Sequence, residues 1–335
     1  MRVLVTGATG GLGRNAVADL RGKGCMVRAT GRNTAIGRQL ATQGAEFIPL
    51  ELSTASDIEL SKLMTGIDAV WHCAARSAPW GHEADFIAAN VTATSKLLNA
   101  AGRSGVIRFI HISTPALYFD FRHRMEVPEV FRPFRYVNAY ARTKAIAEEC
   151  ALEAAAAYSD MRVTILRPRA IFGEYDQVLM PRLARMLDQS GGRLPLPRGG
   201  AVTLDLTYVG NVVHAMWLAT RQPSLASGDI FNITNHQPVI LRDVLEKLFM
   251  EELGQPLRIV TLPYPLLSFA SQLAQWVASI TGKEPPLTPY SLGAIHFDMT
   301  LSNQRARDIL GYQPRFSLEE GLVRTARWLQ ESAHG

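Results

Sequence analysis

Tyr140 and Lys144 lie four residues apart in a strongly helical stretch, Ala139–Tyr158, so both fall on one helix face. A free tyrosine titrates near pH ~10. A neighbouring ammonium favours the phenolate and is expected to lower that value. The tyrosine can then exchange a proton with an alcohol or carbonyl oxygen near neutral pH. This spacing is common by chance. Two further signals accompany it: a hydroxyl pair, Ser113-Thr114, just after an apolar strand pattern, and a glycine loop near the start of the chain.

That loop is Thr6-Gly7-Ala8-Thr9-Gly10-Gly11-Leu12-Gly13, placed between a strand pattern and a helix pattern. Glycines at 7, 10 and 13 let the backbone approach a pyrophosphate, and the helix N-terminus offers it free N–H groups. A fold that prefers NAD carries an acid about 20 residues further on, where it meets the adenosine ribose. Here that position is Gly31, followed by Arg32. An arginine can fork onto a 2′-phosphate, so NADP(H) is favoured over NAD(H). A solvated loop arginine is the bland alternative. Glu51-Leu52, after the third strand, is placed to meet the adenine, or else is a solvated strand end.

These residues need elements to hold them. Apolar runs at Arg2–Thr6, Met26–Gly31, Ala45–Leu50, Ala69–Ala74, Arg108–Ser113 and Arg162–Arg167 read as strands. Helical patterns at Leu12–Gly22, Ala55–Thr65, Glu83–Gly102 and Ala139–Tyr158 lie between them. The alternation predicts an α/β fold, a doubly wound parallel (Rossmann) sheet over residues 1–173. Residues 174–335 are expected to form a smaller, mainly substrate-binding lobe, with segments near 201–235 returning to the Rossmann core.

Composition sets the outer limits. The chain has 335 residues, 47% hydrophobic and 19% charged, which suits a globular protein with a sizeable core. Its net charge is +5, built from 29 arginines and six lysines. The basic residues are dispersed and no nucleic-acid-binding module is visible, so no nucleic-acid partner is expected. Cys25, Cys73 and Cys150 are odd in number and widely spaced, which suggests free thiols in the cytoplasm and no metal site. The strand pattern begins at Met1-Arg2-Val3, which leaves no room for a signal peptide. No apolar run is long enough for a transmembrane span. Residues 264–282 read as an amphipathic helix that packs on the protein's own core, with peripheral membrane contact as the other option.

Taken together, these motifs resemble the extended short-chain dehydrogenase/reductase superfamily, of the NAD-dependent epimerase/dehydratase type. The matches run in order: Thr6–Gly13, Gly66–Ala75, Asn90-Val91-Thr92-Ala93-Thr94, Ser113-Thr114, Tyr140 with Lys144, Leu166–Gly173 and Asp205–Val212. Trp80-Gly81, Pro285-Pro286-Leu287-Thr288 and Leu310–Pro314 resemble the 3β-hydroxysteroid dehydrogenase branch, which also holds sterol-4-carboxylate dehydrogenases and 2-alkyl-3-oxoalkanoate reductases.

The resemblance implies the roles. Tyr140 is the general acid/base. Lys144 lowers its pKa and holds the nicotinamide ribose. Thr114 binds the substrate oxygen, with Ser113 as the fallback, and Asn90 holds a relay water. The cofactor would lie along Gly7, Thr9, Gly10, Gly11, Leu12, Gly13, Arg32, Glu51, Leu52, Cys73, Ala74, Ala75, Pro168 and Ala170. A mostly apolar substrate pocket is expected from Trp80, Tyr118, Phe172, Tyr175, Leu179, Met180 and Tyr208. It suits an apolar or steroid-like ketone or a β-keto acid, and Arg169 or Arg182 could meet a carboxylate. The activity implied is NAD(P)-dependent hydride transfer between the nicotinamide and a secondary alcohol or ketone. A nucleotide-sugar epimerase or dehydratase and a non-catalytic NADP-binding redox sensor remain alternatives. The family commonly forms homodimers through two helices, here Glu83–Gly102 and Ala139–Tyr158.

Overall fold

The computed structural model describes residues 1–177, 180, 183, 187 and 190–333. Seven parallel strands form the main sheet. In chain order they are β1 (Arg2–Thr6), β2 (Met26–Gly31), β3 (Glu46–Pro49), β4 (Ala69–His72), β5 (Arg108–Ile112), β6 (Arg162–Pro168) and β7 (Asp229–Ile233). Their spatial order is β7-β6-β5-β4-β1-β2-β3. Val3 pairs with Val27 on one side and Ala69 on the other, so β1 is central and its apolar residues are covered on both faces. The strand order reverses between β1 and β4. A crevice opens there at the C-terminal strand ends, where open α/β sheets bind ligands.

The flanking helices are α1 (Gly11–Gly22), α2 (Thr34–Thr42), α3 (Asp57–Met64), an irregular α4, α5 (Ala139–Ala157) and α6 (Val209–Arg221). The helix α2 was not anticipated. It is short and contains Gly37, but Asn33 caps it by accepting from the Ile36 amide at 3.0 Å. A reciprocal Ser56/Glu59 capping box starts α3. The single helix expected over Glu83–Gly102 has three parts: α-helical Glu83–Phe86, a π-turn at Ile87–Thr92, and α-helical Ala93–Arg103. Together they make up α4.

Residues beyond 173 supply α6, which packs on α1, and β7, which extends the main sheet beside β6. Other segments form a separate apolar cluster with Phe172, Leu194, Leu196, Leu245, Phe249 and Leu322. Two further helices there are α7 (Tyr264–Thr281) and α8 (Pro289–Ala294). The apolar side of α7 was expected to pack on the core, but it does not. Leu266, Phe269, Leu273, Trp276, Val277 and Ile280 stand 44–69% exposed, while Ser271 and Ala278 are the buried positions. Among the described residues, no helix is long and apolar enough to cross a membrane, and no cluster of His, Cys, Asp and Glu could hold a metal. All three cysteines are free thiols.

Candidate active site

The loop from β1 to α1 forms the floor of a cleft of about 1070 Å³. Gly7 has φ +62°, and a Cβ there would lie 2.7 Å from the backbone nitrogen of Ala74, so only glycine fits. Gly10 caps α1, leaving first-turn amides turned toward the cleft. The cradle fits a dinucleotide pyrophosphate. At one end Gly31, Arg32, Glu51 and Leu52 line the cleft; at the other, Cys73, Ala74, Ala75, Pro168 and Ala170 do. The structure thus brings the sixteen residues expected to bind cofactor, Tyr140 and Lys144 among them, to one continuous surface.

At the adenosine end, Arg32 is 78% exposed and its Nη1 lies 3.4 Å from Glu51 Oε2. Glu51 is also held by the Ser53 hydroxyl, which donates to Oε1 at 2.9 Å. Gly31 faces Thr9: a Cβ at 31 would lie 2.8 Å from Thr9 Oγ1.

At the other end, Asn138 caps α5 by accepting from the Ala141 amide at 2.8 Å. Tyr140 and Lys144 follow on successive turns and both line the cleft. Thr114 follows β5, and its hydroxyl lies close enough to the Tyr140 phenol to act on it, while among the described residues the adjacent Ser113 hydroxyl is buried without a partner. Burial pushes the Tyr140 phenol well above its ordinary range, against a smaller opposing effect of the Thr114 hydroxyl. This burial outweighs the lowering expected from Lys144. Its ammonium is drawn to the end of β5, donating to Ile112 O at 2.6 Å and lying 3.2 Å from His111 Nε2. Burial pulls Lys144 itself down to about 8, with Glu148 and Cys73 acting in the opposite direction. Desolvation therefore dominates both partners.

Asn90 does not reach the cleft surface. It is fully buried at the π-turn, accepts from the Arg76 amide at 2.7 Å and donates to Thr143 Oγ1 at 3.1 Å. It pins the loop after β4 to α5, with both of its amide hydrogens engaged.

The expected aromatic pocket is largely elsewhere. Phe172 lines the cleft. Tyr118 is buried beside Phe131, receives a hydrogen bond from Arg167 and donates to Asn232 at 2.8 Å. Tyr208 donates to Glu174 at 2.8 Å inside the lobe cluster, which also contains Met180. Tyr175 packs under Arg14, 3.7 Å from its guanidinium carbon, and Trp80 lies beside His82. Leu179 and Arg182 are outside the described residues. Instead Leu204, Leu206, Leu241, Tyr290 and Ile295 line the cleft. Thr288 and Pro289 begin α8 as a cap and first residue, a readable start signal, but nothing local says that Tyr290 will face Tyr140.

A buried cluster backs the site. Arg167 Nε donates to Glu148 Oε1 at 2.7 Å, and both side chains are buried. This ion pair joins β6, which ends at Pro168, to α5, one turn beyond Lys144.

Residues 3–234 match the NAD dependent epimerase/dehydratase family. The chain is 46% identical to the uncharacterized protein YbjS of Escherichia coli over all of its own length and 99% of the relative. It is 31% identical to a 2-alkyl-3-oxoalkanoate reductase of Stenotrophomonas maltophilia, covering 97% of this chain and 98% of that one. The UDP-glucuronic acid 4-epimerase of Bacillus cereus, solved with NAD, superposes with a TM-score of 0.78 at 21% identity, covering 99% of each chain. Glycine loop, ordered motifs and whole-length likeness agree: the chain is a member of the NAD dependent epimerase/dehydratase family.

Proposed function

We propose that this protein is an NADP(H)-preferring ketoreductase acting on an apolar ketone or β-keto acid. The observation that carries the reading is the Thr114 hydroxyl set against Tyr140 beside Lys144, at the end of a glycine-loop cleft that Leu204, Leu206, Leu241 and Ile295 also line. Relatives named for ketone and sterol oxidoreduction support it.

The glycine loop, Arg32, Ala74 and Pro168 would hold the dinucleotide, and the bound nicotinamide supplies the hydride. Thr114 and Tyr140 donate to the substrate carbonyl oxygen, polarising it. Tyr140 then releases its proton to that oxygen. Its raised pKa keeps it protonated until the oxygen develops negative charge, which suits a general acid. The Lys144 ammonium stabilises the resulting phenolate. Leu204, Leu206 and Ile295 exclude water around the apolar part of the substrate.

The preference for NADP(H) is supported by Gly31 in the acid's place and by the exposed Arg32. We also infer a homodimer through residues 83–103 and Ala139–Ala157, supported by the exposed Ile87 and Leu152 on those helices. Three free thiols support a cytoplasmic location.

The test is fluorescence titration with NADPH and NADH, followed by turnover of steroid ketones, aryl ketones and long-chain β-keto acids. Arg32→Ala is expected to weaken NADPH about tenfold and leave NADH nearly unchanged. A clear NADH preference overturns the cofactor reading. Turnover of a nucleotide sugar without added cofactor overturns the reaction.

A further inference from the structure

Among the described residues, three arginines line the cleft. Arg32 meets Glu51, and Arg76 meets Asp85 at 3.6 Å. Arg169 differs. It is 7% exposed, and among the described residues its guanidinium has neither a hydrogen-bond partner nor an ion pair. Its Nε is buried and unpartnered. The acid that acts on it through space is Asp205, whose Oδ2 is committed to the Leu301 amide at 2.7 Å. Burial disfavours the charged form of both, lowering Arg169 and raising Asp205 to about 6.

A buried cation without a partner is costly, and an arriving anion offsets that cost. The position is informative. Arg169 sits between Pro168 and Ala170, at the end of the cleft that holds Tyr140 and Thr114. Tyr290 links the two groups electrostatically, acting on both Arg169 and Tyr140, and burial keeps its hydroxyl protonated as a donor. The pyrophosphate cradle lies elsewhere, at the start of α1, so a cofactor phosphate is not the anion this guanidinium awaits.

We propose that Arg169, assisted by the Tyr290 hydroxyl, is the receptor for a substrate carboxylate. The molecule reduced is then an oxo acid with an apolar chain: its ketone meets Tyr140 and Thr114, its carboxylate meets Arg169, and its chain lies along Leu204, Leu206 and Ile295. The placing of the ketone rests on the ketoreductase reading. The carboxylate receptor rests on the cleft itself.

Calorimetry with the NADP-loaded protein separates the two. The probes are a long-chain 3-hydroxy carboxylate and its methyl ester. The acid is expected to bind at least about tenfold more tightly than the ester, as a charge-assisted hydrogen bond implies. Arg169→Gln should erase that difference, Arg169→Lys should restore part of it, and both should keep wild-type NADPH affinity and melting temperature. Equal binding of acid and ester by the wild type overturns the receptor. So does an Arg169→Gln variant that loses NADPH affinity in step with acid affinity. Turnover is read separately with the matching 3-oxo acid and ester. Reduction of both with equal kcat/KM overturns the receptor and leaves the reductase. Tight, Arg169-dependent acid binding with no reduction of either supports the receptor and overturns the reductase.

Discussion

The helices α5 and α7 are 19 and 18 residues long, yet α5 buries eight residues and α7 two. The helix α5 buries Lys144, Glu148 and Thr143 among alanines at 141, 145, 147, 151 and 154. Each buried polar group has a partner: Ile112 O for Lys144, Arg167 for Glu148, Asn90 for Thr143. The alanines let neighbours approach closely enough for those contacts. In α7 the large apolar residues face outward and a serine is buried. Apolar content therefore says little about where a helix matters here. What matters is whether its polar groups have been taken out of water and paired.

That contrast can be broken or sharpened by substitution. The largest effect is expected from Arg167→Ala, which leaves Glu148 buried without its guanidinium. A loss of about 3–5 kcal/mol is expected, read from urea unfolding. A loss below about 1 kcal/mol would mean that the pair is not what secures α5. Tyr140→Phe keeps the fold and removes the proton donor. Turnover of a verified ketone should fall about 10²–10³-fold with NADPH affinity unchanged. Wild-type turnover would remove the chemical role from α5.

The pH dependence gives a third test. Lys144 is protonated below about 8 and neutral above it. In reduction its positive charge stabilises the forming phenolate, so kcat/KM should fall above about pH 8, by about tenfold per unit. Lys144→Arg should move that fall to higher pH, since a guanidinium stays charged. A flat wild-type profile between pH 7 and 10 would exclude the ammonium from the rate-determining step. The smallest effect is expected on α7. Phe269→Ser at an exposed position should change unfolding stability by less than about 0.5 kcal/mol. A loss above 2 kcal/mol would show that the stripe is covered in solution.

The cofactor half was legible because its signals are local. Glycine spacing, a strand before it and a helix after it occupy the first 22 residues, and Arg32 follows one strand later. The Tyr140–Lys144 spacing needs only a helix. Thr114 was readable from its place after β5. The protonation of Tyr140 was not, because a sequence shows the lysine but not the burial that outweighs it. The substrate wall was misread for a related reason. Tyr118 and Tyr208 have the right chemistry for a pocket, yet their hydroxyls are spent on Asn232 and Glu174. Tyr290 is 150 positions from Tyr140, and only the packing of α8 brings it near. The stripe on α7 has helical periodicity, but periodicity does not reveal whether anything covers the face.

The contact between Gly31 and Thr9 constrains how the nucleotide specificity could be re-engineered. Under the proposed NADP(H) preference, an acid at 31 is the obvious single change toward the unphosphorylated dinucleotide. Its Cβ would stand 2.8 Å from Thr9 Oγ1 and 3.0 Å from the Thr9 methyl, inside the loop that cradles the pyrophosphate. Gly31→Asp alone would therefore disturb the binding it was meant to redirect. Accommodating that side chain takes a shift of Thr9 or a smaller residue at position 9, so the two positions are coupled.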